Sequence, residues 1–462
     1  MRVRLITAAD EDETGRVSTR VVDLTDPDAA TQPGGASRSL LTGLWGWDRI
    51  PPLPQLREDV EAYRNALRDA PLAPYDGMRA FVAVVPPGMG LNDATEVSGG
   101  AMHRTDSIDI IVALEGELVF EQPGGDLTIT AGDTVILHGT YHRPVNRSGK
   151  PFTFVDLQFS TPRKDTPWHE PAVEEVPGGW LATGNEGHAF FAETPEKAEA
   201  LAAVRETWRA QLRDEITWGG PTTSDVSEVG AGDANPGGPG RIRLITTADA
   251  DEDGTVSTRI VDLTDPSVST QPGGPGRARL TGLWGWDELP TLPLSRADVE
   301  RYRTTLAKGA YAPYGGMRAY LTTVPPRMGM NDTTELSGGS MHRTDTIDIV
   351  IGLEGELVFE QPGADITITP GDIVILHGTY HRPVNRSDQP FVFLDFQYTT
   401  PRKDTPWYDP QIREVEGGWI STGNEGFTFF EETREKAEAL TALREKWREQ
   451  AKSEITWGGP RD

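Results

Sequence analysis

The chain carries its content twice. Arg2 to Gly220 lies over Arg241 to Gly459 at a constant offset, without insertion or deletion. Roughly two positions in three are identical, which marks a duplicated module and not a weak periodicity. A length of 462 residues would otherwise suggest several average domains. The predicted organisation is module one over 1–218 with a barrel core at about 78–162, a linker over 219–240, and module two over 241–462 with a core at about 317–401. The linker, GGPTTSDVSEVGAGDANPGGPG, is rich in Gly and Pro and nearly lacks large apolar residues, so it reads as flexible and exposed.

Each copy is long enough to bury its own core. The balance of 36% hydrophobic and 25% charged residues is that of a soluble globular protein. No apolar run is long enough to span a membrane. The opening MRVRLITAADEDE turns acidic before an apolar stretch forms, so no secretory signal is expected. There is no cysteine, which removes disulfides and thiolate metal sites and fits a cytoplasmic location. A formal net charge of -27 repels phosphate backbones, so nucleic acid is not an expected partner. The expected partner is a small molecule. Phosphate-cradling loops, nucleophile elbows and zinc-finger spacings are missing from the sequence.

Within copy one, VRLITAA and VSTRVVDL alternate in the manner of strands and predict an opening hairpin. LTGLWGWD and a Pro-rich crossing follow. A helix is predicted over 57–68, where Val60, Tyr63 and Leu67 share a face. From Met78 the runs MRAFVAVV, DIIVALEGELVFEQP, DLTIT, DTVILHG and FTFVDLQFS are short, apolar and separated by turn residues, which predicts an all-β barrel or sandwich. At the end of the copy Thr194 and Pro195 make an N-cap and first-turn pair. Leu201, Val204, Trp208 and Leu212 then recur at helical spacing, predicting a helix packed on the barrel with Trp208 in its core. The second copy repeats it at 433–450, with Trp447.

Chemistry concentrates in MHRTDSID and HGTYHRPVN, at 102–109 and 138–146, repeated at 341–348 and 377–385. In a strand, residues of equal parity share a face. His103, Thr105 and Asp109 share one, and a second segment brings His142. Two imidazoles and one carboxylate converging in a barrel mouth would be a minimal set for Fe, Mn or Zn with open positions for substrate. The expected ligands are therefore His103, Asp109 and His142, with His342, Asp348 and His381 in copy two. An alternative stays open, in which the four histidines His103, His142, His342 and His381 act as acid–base catalysts without metal. In that case Asp109 would orient an imidazole. Thr105 and Thr344 are expected to line the substrate cavity. Trp45, Trp47, Trp284 and Trp286 are candidate substrate walls against a reading as structural plugs. Arg79 and Arg318 are candidate anchors for a substrate carboxylate against outward salt bridges. His138 reads as structural, and Asn146 as a turn residue.

These motifs resemble those of the cupin family. His103, Thr105, Asp109 and Gly116 fall on its first motif, and Leu137, Gly139, His142 and Asn146 on its second, as do Leu376, Gly378, His381 and Asn385. HRTD-S/T-ID and GTYHRPVN resemble more closely a group of small bacterial and fungal single-cupin proteins. The chain departs at two places: Thr105 and Thr344 stand where the family has a second histidine, and Asp109 and Asp348 where it has glutamate. The resemblance implies two tandem jelly-roll barrels, each with an N-terminal β extension and a C-terminal helix, paired as a pseudo-dimer within the chain. It implies an enzyme acting on a small organic molecule with a divalent metal, of oxygenase or lyase/isomerase type. A metal-free isomerase, dehydratase or cyclase, and a non-catalytic binding or storage protein, are the alternatives.

Overall fold

The structure is a computed structural model. It describes residues 2–11, 16–24, 30, 38–69, 73–91, 102–163, 172–176, 178–185, 188–192, 194–211, 242–249, 255–268, 277–306, 312–330, 341–402, 411–415, 417–422, 428–431, 433–439 and 441–442. The predicted linker at 219–240 and Trp447 lie outside the described residues, as does the side chain of Trp208.

Each module is built on a seven-stranded sheet faced by a three-stranded one. In module one the large sheet runs Val256–Asp262, Arg243–Asp249, Asp133–His138, Ser107–Glu115, Phe152–Ser160, Met78–Val85, Leu40–Trp47. Its first two members belong to the other copy. The reciprocal sheet takes Arg4–Asp10 and Val17–Asp23 onto Asp372–His377. The opening hairpins are thus exchanged between modules. Each pairs in parallel with the strand leading into the second histidine motif, with Arg243 opposite Asp133 and Arg4 opposite Asp372. The register is pinned by charge, because Arg243 Nε donates to Asp133 Oδ1 at 2.7 Å and Arg4 Nε to Asp372 Oδ1 at 2.6 Å. The exchange also covers two sheet edges that would otherwise stand open.

Strand alternation sorts the core. Along Ser107–Glu115, Ile108, Ile110 and Val112 join one cluster with Trp45, Leu157 and the second module's Ile349 and Trp284. Ile111 and Ala113 join another with Leu118, Phe120, Val135 and Leu137, inside the barrel. Every such side chain taken out of water contributes about 1.5–3 kcal/mol, so one sheet cements both its own barrel and the contact between modules. The helix Arg57–Asp69 matches the predicted one.

Among the described residues, the C-terminal helix Pro195–Gln211 packs on a small sheet of its own. Ala198 and Leu201 pack with Ala182 and Ala192 of a separate three-stranded sheet, with Tyr75 beside them. The physical reason is local: a helix stripe needs only an adjacent apolar face, and the meander Ala172–Val176, Gly179–Asn185, His188–Ala192 supplies one.

Candidate functional site

The two histidine motifs meet. His103 and His142 form an antiparallel bridge, each donating its amide to the other's carbonyl, at 3.0 and 2.9 Å. Their rings stand 4.6 Å apart, with Phe120 at 5.2 Å from His142. His342 and His381 repeat the arrangement at 4.6 Å. The turn before each second histidine aims the ring. His142 Nδ1 lies 2.9 Å from the Thr140 carbonyl and His381 Nδ1 2.9 Å from that of Thr379. A carbonyl only accepts, so Nδ1 carries the proton and Nε2 keeps its lone pair. Burial, and then the neighbouring His103, push His142 down to about 3, so it is neutral at pH 7. His381 is pushed down as well, by burial.

Asp109 belongs to a different local set. Cross-strand register places it opposite Gln158 and Leu137, and places Asp156 opposite Ile111. Asp109 and Asp156 are therefore diagonal neighbours on the face that lines the barrel. Burial raises Asp109 to about 6, while hydrogen bonds from Ser107, Gln158 and Thr105 pull the other way. Asp156 is raised further, by burial and by the Asp109 charge. In module two burial raises Asp348 to about 7 while hydrogen bonds from Thr346 and Thr344 pull the other way, and Asp395 is raised well above its ordinary value by burial and by Asp348. Thr105 is buried, with its hydroxyl 2.6 Å from Ser107 Oγ and 3.4 Å from Asp109 Oδ2. Thr344 meets Thr346 at 2.5 Å.

The imidazoles pair with each other, and Oδ2 of Asp109 accepts from the Thr105 hydroxyl at 3.4 Å. Among the described residues no group of three or more His, Asp or Glu side chains is placed to hold a metal ion. The donor set does not fit a three-ligand centre.

The tryptophans lie between the modules. Trp45 and Trp284 are fully buried between modules, edge-on to His377 at 4.6 Å and His138 at 4.5 Å. Trp47 and Trp286 line a cleft between the modules and not the barrel interior. Their strand positions put them on the face that the second module covers. The Arg79 guanidinium donates to the Trp47 carbonyl at 2.9 Å and to Asp48 at 2.6 Å, and Arg318 does the same to Trp286 and Asp287, the partners that the salt-bridge reading expects. His138 bonds the Thr247 carbonyl of the exchanged hairpin, and burial pushes it down to about 3. Asn146 closes its turn through Val85 and Lys150 carbonyls at 3.2 and 2.9 Å.

Sequence reasoning missed Asp156 and Asp395. The available signal was a lone carboxylate of inward parity in the apolar runs FTFVDLQFS and FVFLDFQYT.

No protein-family model matches the chain, and no curated protein does. Solved structures similar to it include a vicilin from Solanum melongena, at 11% identity and a TM-score of 0.36 over 81% of this chain and 83% of that one. An oxalate decarboxylase formate complex from Lactobacillus farciminis stands at 10% and 0.33, over 79% and 82%. A cupin 2 conserved barrel domain protein from Leptotrichia buccalis stands at 7% and 0.29, over 70% and 84%. Such distant likenesses carry nothing about activity. The strand order and the paired histidine motifs of the chain itself give it two β-barrels in tandem.

Proposed function

We propose that each barrel binds a small organic molecule and moves a proton on it without a three-ligand metal centre. The observation that supports this best is the imidazole pair, present in both modules with the same tautomer. His142 and His381 are held neutral and offer Nε2 as a hydrogen-bond acceptor beside a second ring. Their low basicity suits them to recognition more than to proton abstraction. Asp109 and Asp348, raised to about 6 and about 7, have the near-neutral values that suit a general acid or base.

The test is deuterium exchange from D2O into a panel of carbonyl compounds and hydroxy acids, followed by NMR, with elemental analysis of the same protein. The expected result is exchange that the Asp109→Asn/Asp348→Asn variant loses, in protein without stoichiometric transition metal. A stoichiometric metal that disappears in a His103→Ala/His342→Ala variant, and whose chelation stops exchange, would overturn the reading.

A further inference from the structure

Among the carboxyl oxygens of the described residues that are buried without a hydrogen-bond partner, four stand at inward positions of the barrel strands: Oδ1 of Asp109, Asp156, Asp348 and Asp395. Such oxygens are costly inside a protein, and here two of them stand diagonally opposed on the inward face of each barrel. Asp109 and Asp348 are only 4% exposed. On the strand of Asp156, Val155 and Leu157 are fully buried against the core between modules, whereas the inward Phe154 and Gln158 keep partial exposure. Asp395 and Gln397 do likewise in module two. Side chains flanking the carboxyl pair are thus partly accessible from solvent.

Resting on the reading of the barrel as a small-molecule site, we propose that Asp109 with Asp156, and Asp348 with Asp395, recognise a ligand that presents two adjacent hydrogen-bond donors and carries no negative charge. Oδ2 of Asp109 already accepts from Thr105, and Oδ2 of Asp395 from the Gln397 amide at 2.9 Å. The unpartnered oxygens are what remains for a ligand. A carboxylate ligand would add negative charge beside carboxyls whose ionisation burial and each other's charge already oppose.

Acetamidinium and acetate have one shape and opposite hydrogen-bonding sense, so they separate the two cases. Calorimetric or NMR titration of the full chain is expected to show acetamidinium binding with one equivalent per barrel, and acetate at least tenfold weaker. Asp156→Asn/Asp395→Asn is expected to abolish the preference. Asp395→Asn alone, at the more exposed position, should halve the stoichiometry even if the double variant fails to fold. Acetate binding as well as acetamidinium, or full acetamidinium binding by Asp395→Asn, would overturn the proposal. Binding as expected without any solvent exchange would count against the proposed chemistry and leave the carboxyl pair standing.

Discussion

In the first barrel the Thr140 hydroxyl meets Thr247 Oγ1 of the other module at 2.8 Å. In the second, Ala8 stands where Thr247 would, and the Thr379 hydroxyl is buried without a partner. Similar exchanges surround the carboxyls. Gln158 serves Asp109 in the first barrel, while Gln397 turns to Asp395 in the second. Phe81 lies opposite Asp156, and Tyr320 opposite Asp395. The registers through these positions are nevertheless the same in both modules. A one-residue slip would turn every inward side chain outward, so register is preserved as a whole. A single hydroxyl gained or lost costs about 1 kcal/mol and can vary between copies.

The largest test of the shared part is Gly139→Ala beside Gly378→Ala. Both glycines have φ of +61°, and an added Cβ would run into the buried Arg163 or Arg402 guanidinium and the carbonyl of Thr105 or Thr344. Each substitution is expected to cost more than about 3 kcal/mol in thermal or urea unfolding. Unequal losses would show that the two turns do not bear equal load.

The next effect concerns the histidines at the exchanged hairpins. Burial pushes His138 to about 3 and His377 to about 4, below the ordinary 6.5. The unfolded chain takes up a proton near pH 6.5 that the folded one refuses, so stability is lost as pH falls from 6.5 toward 4. The slope approaches about 1.4 kcal/mol per pH unit for each histidine. The raised carboxyls act in the opposite sense, since Asp109 and Asp348 hold a proton in the folded state up to about 6 and about 7. Urea titrations at a series of pH values should therefore give a shallower acid limb for His138→Gln. An unchanged limb would mean that His138 is not held neutral.

The smallest effect addresses the difference itself. Thr247→Ala removes the partner of Thr140 and is expected to cost about 1–2 kcal/mol. Ala8→Thr supplies one to Thr379 and is expected to add up to about 1 kcal/mol. If both changes destabilise, the two turns differ in more than this hydroxyl.

Much of this was legible in the residues. The duplication, the strand alternation, the 57–69 helix and the meeting of His103 with His142 all follow from patterns within a few dozen residues. So does the assignment of Asp109 to an inward face, because parity is a local property. Parity does not say what lies opposite. Asp156 is 47 positions from Asp109 in sequence, and only the pairing of Phe152–Ser160 with Ser107–Glu115 makes them neighbours. The hairpin exchange was beyond local pattern for another reason: two near-identical modules offer each hairpin two near-identical edges, and the choice depends on chain path and packing. That choice set the roles of His138, Trp45 and Trp284. Their neighbours Thr247, His377 and His138 come from the other copy, so burial between modules, and not the side chains' own chemistry, made them structural.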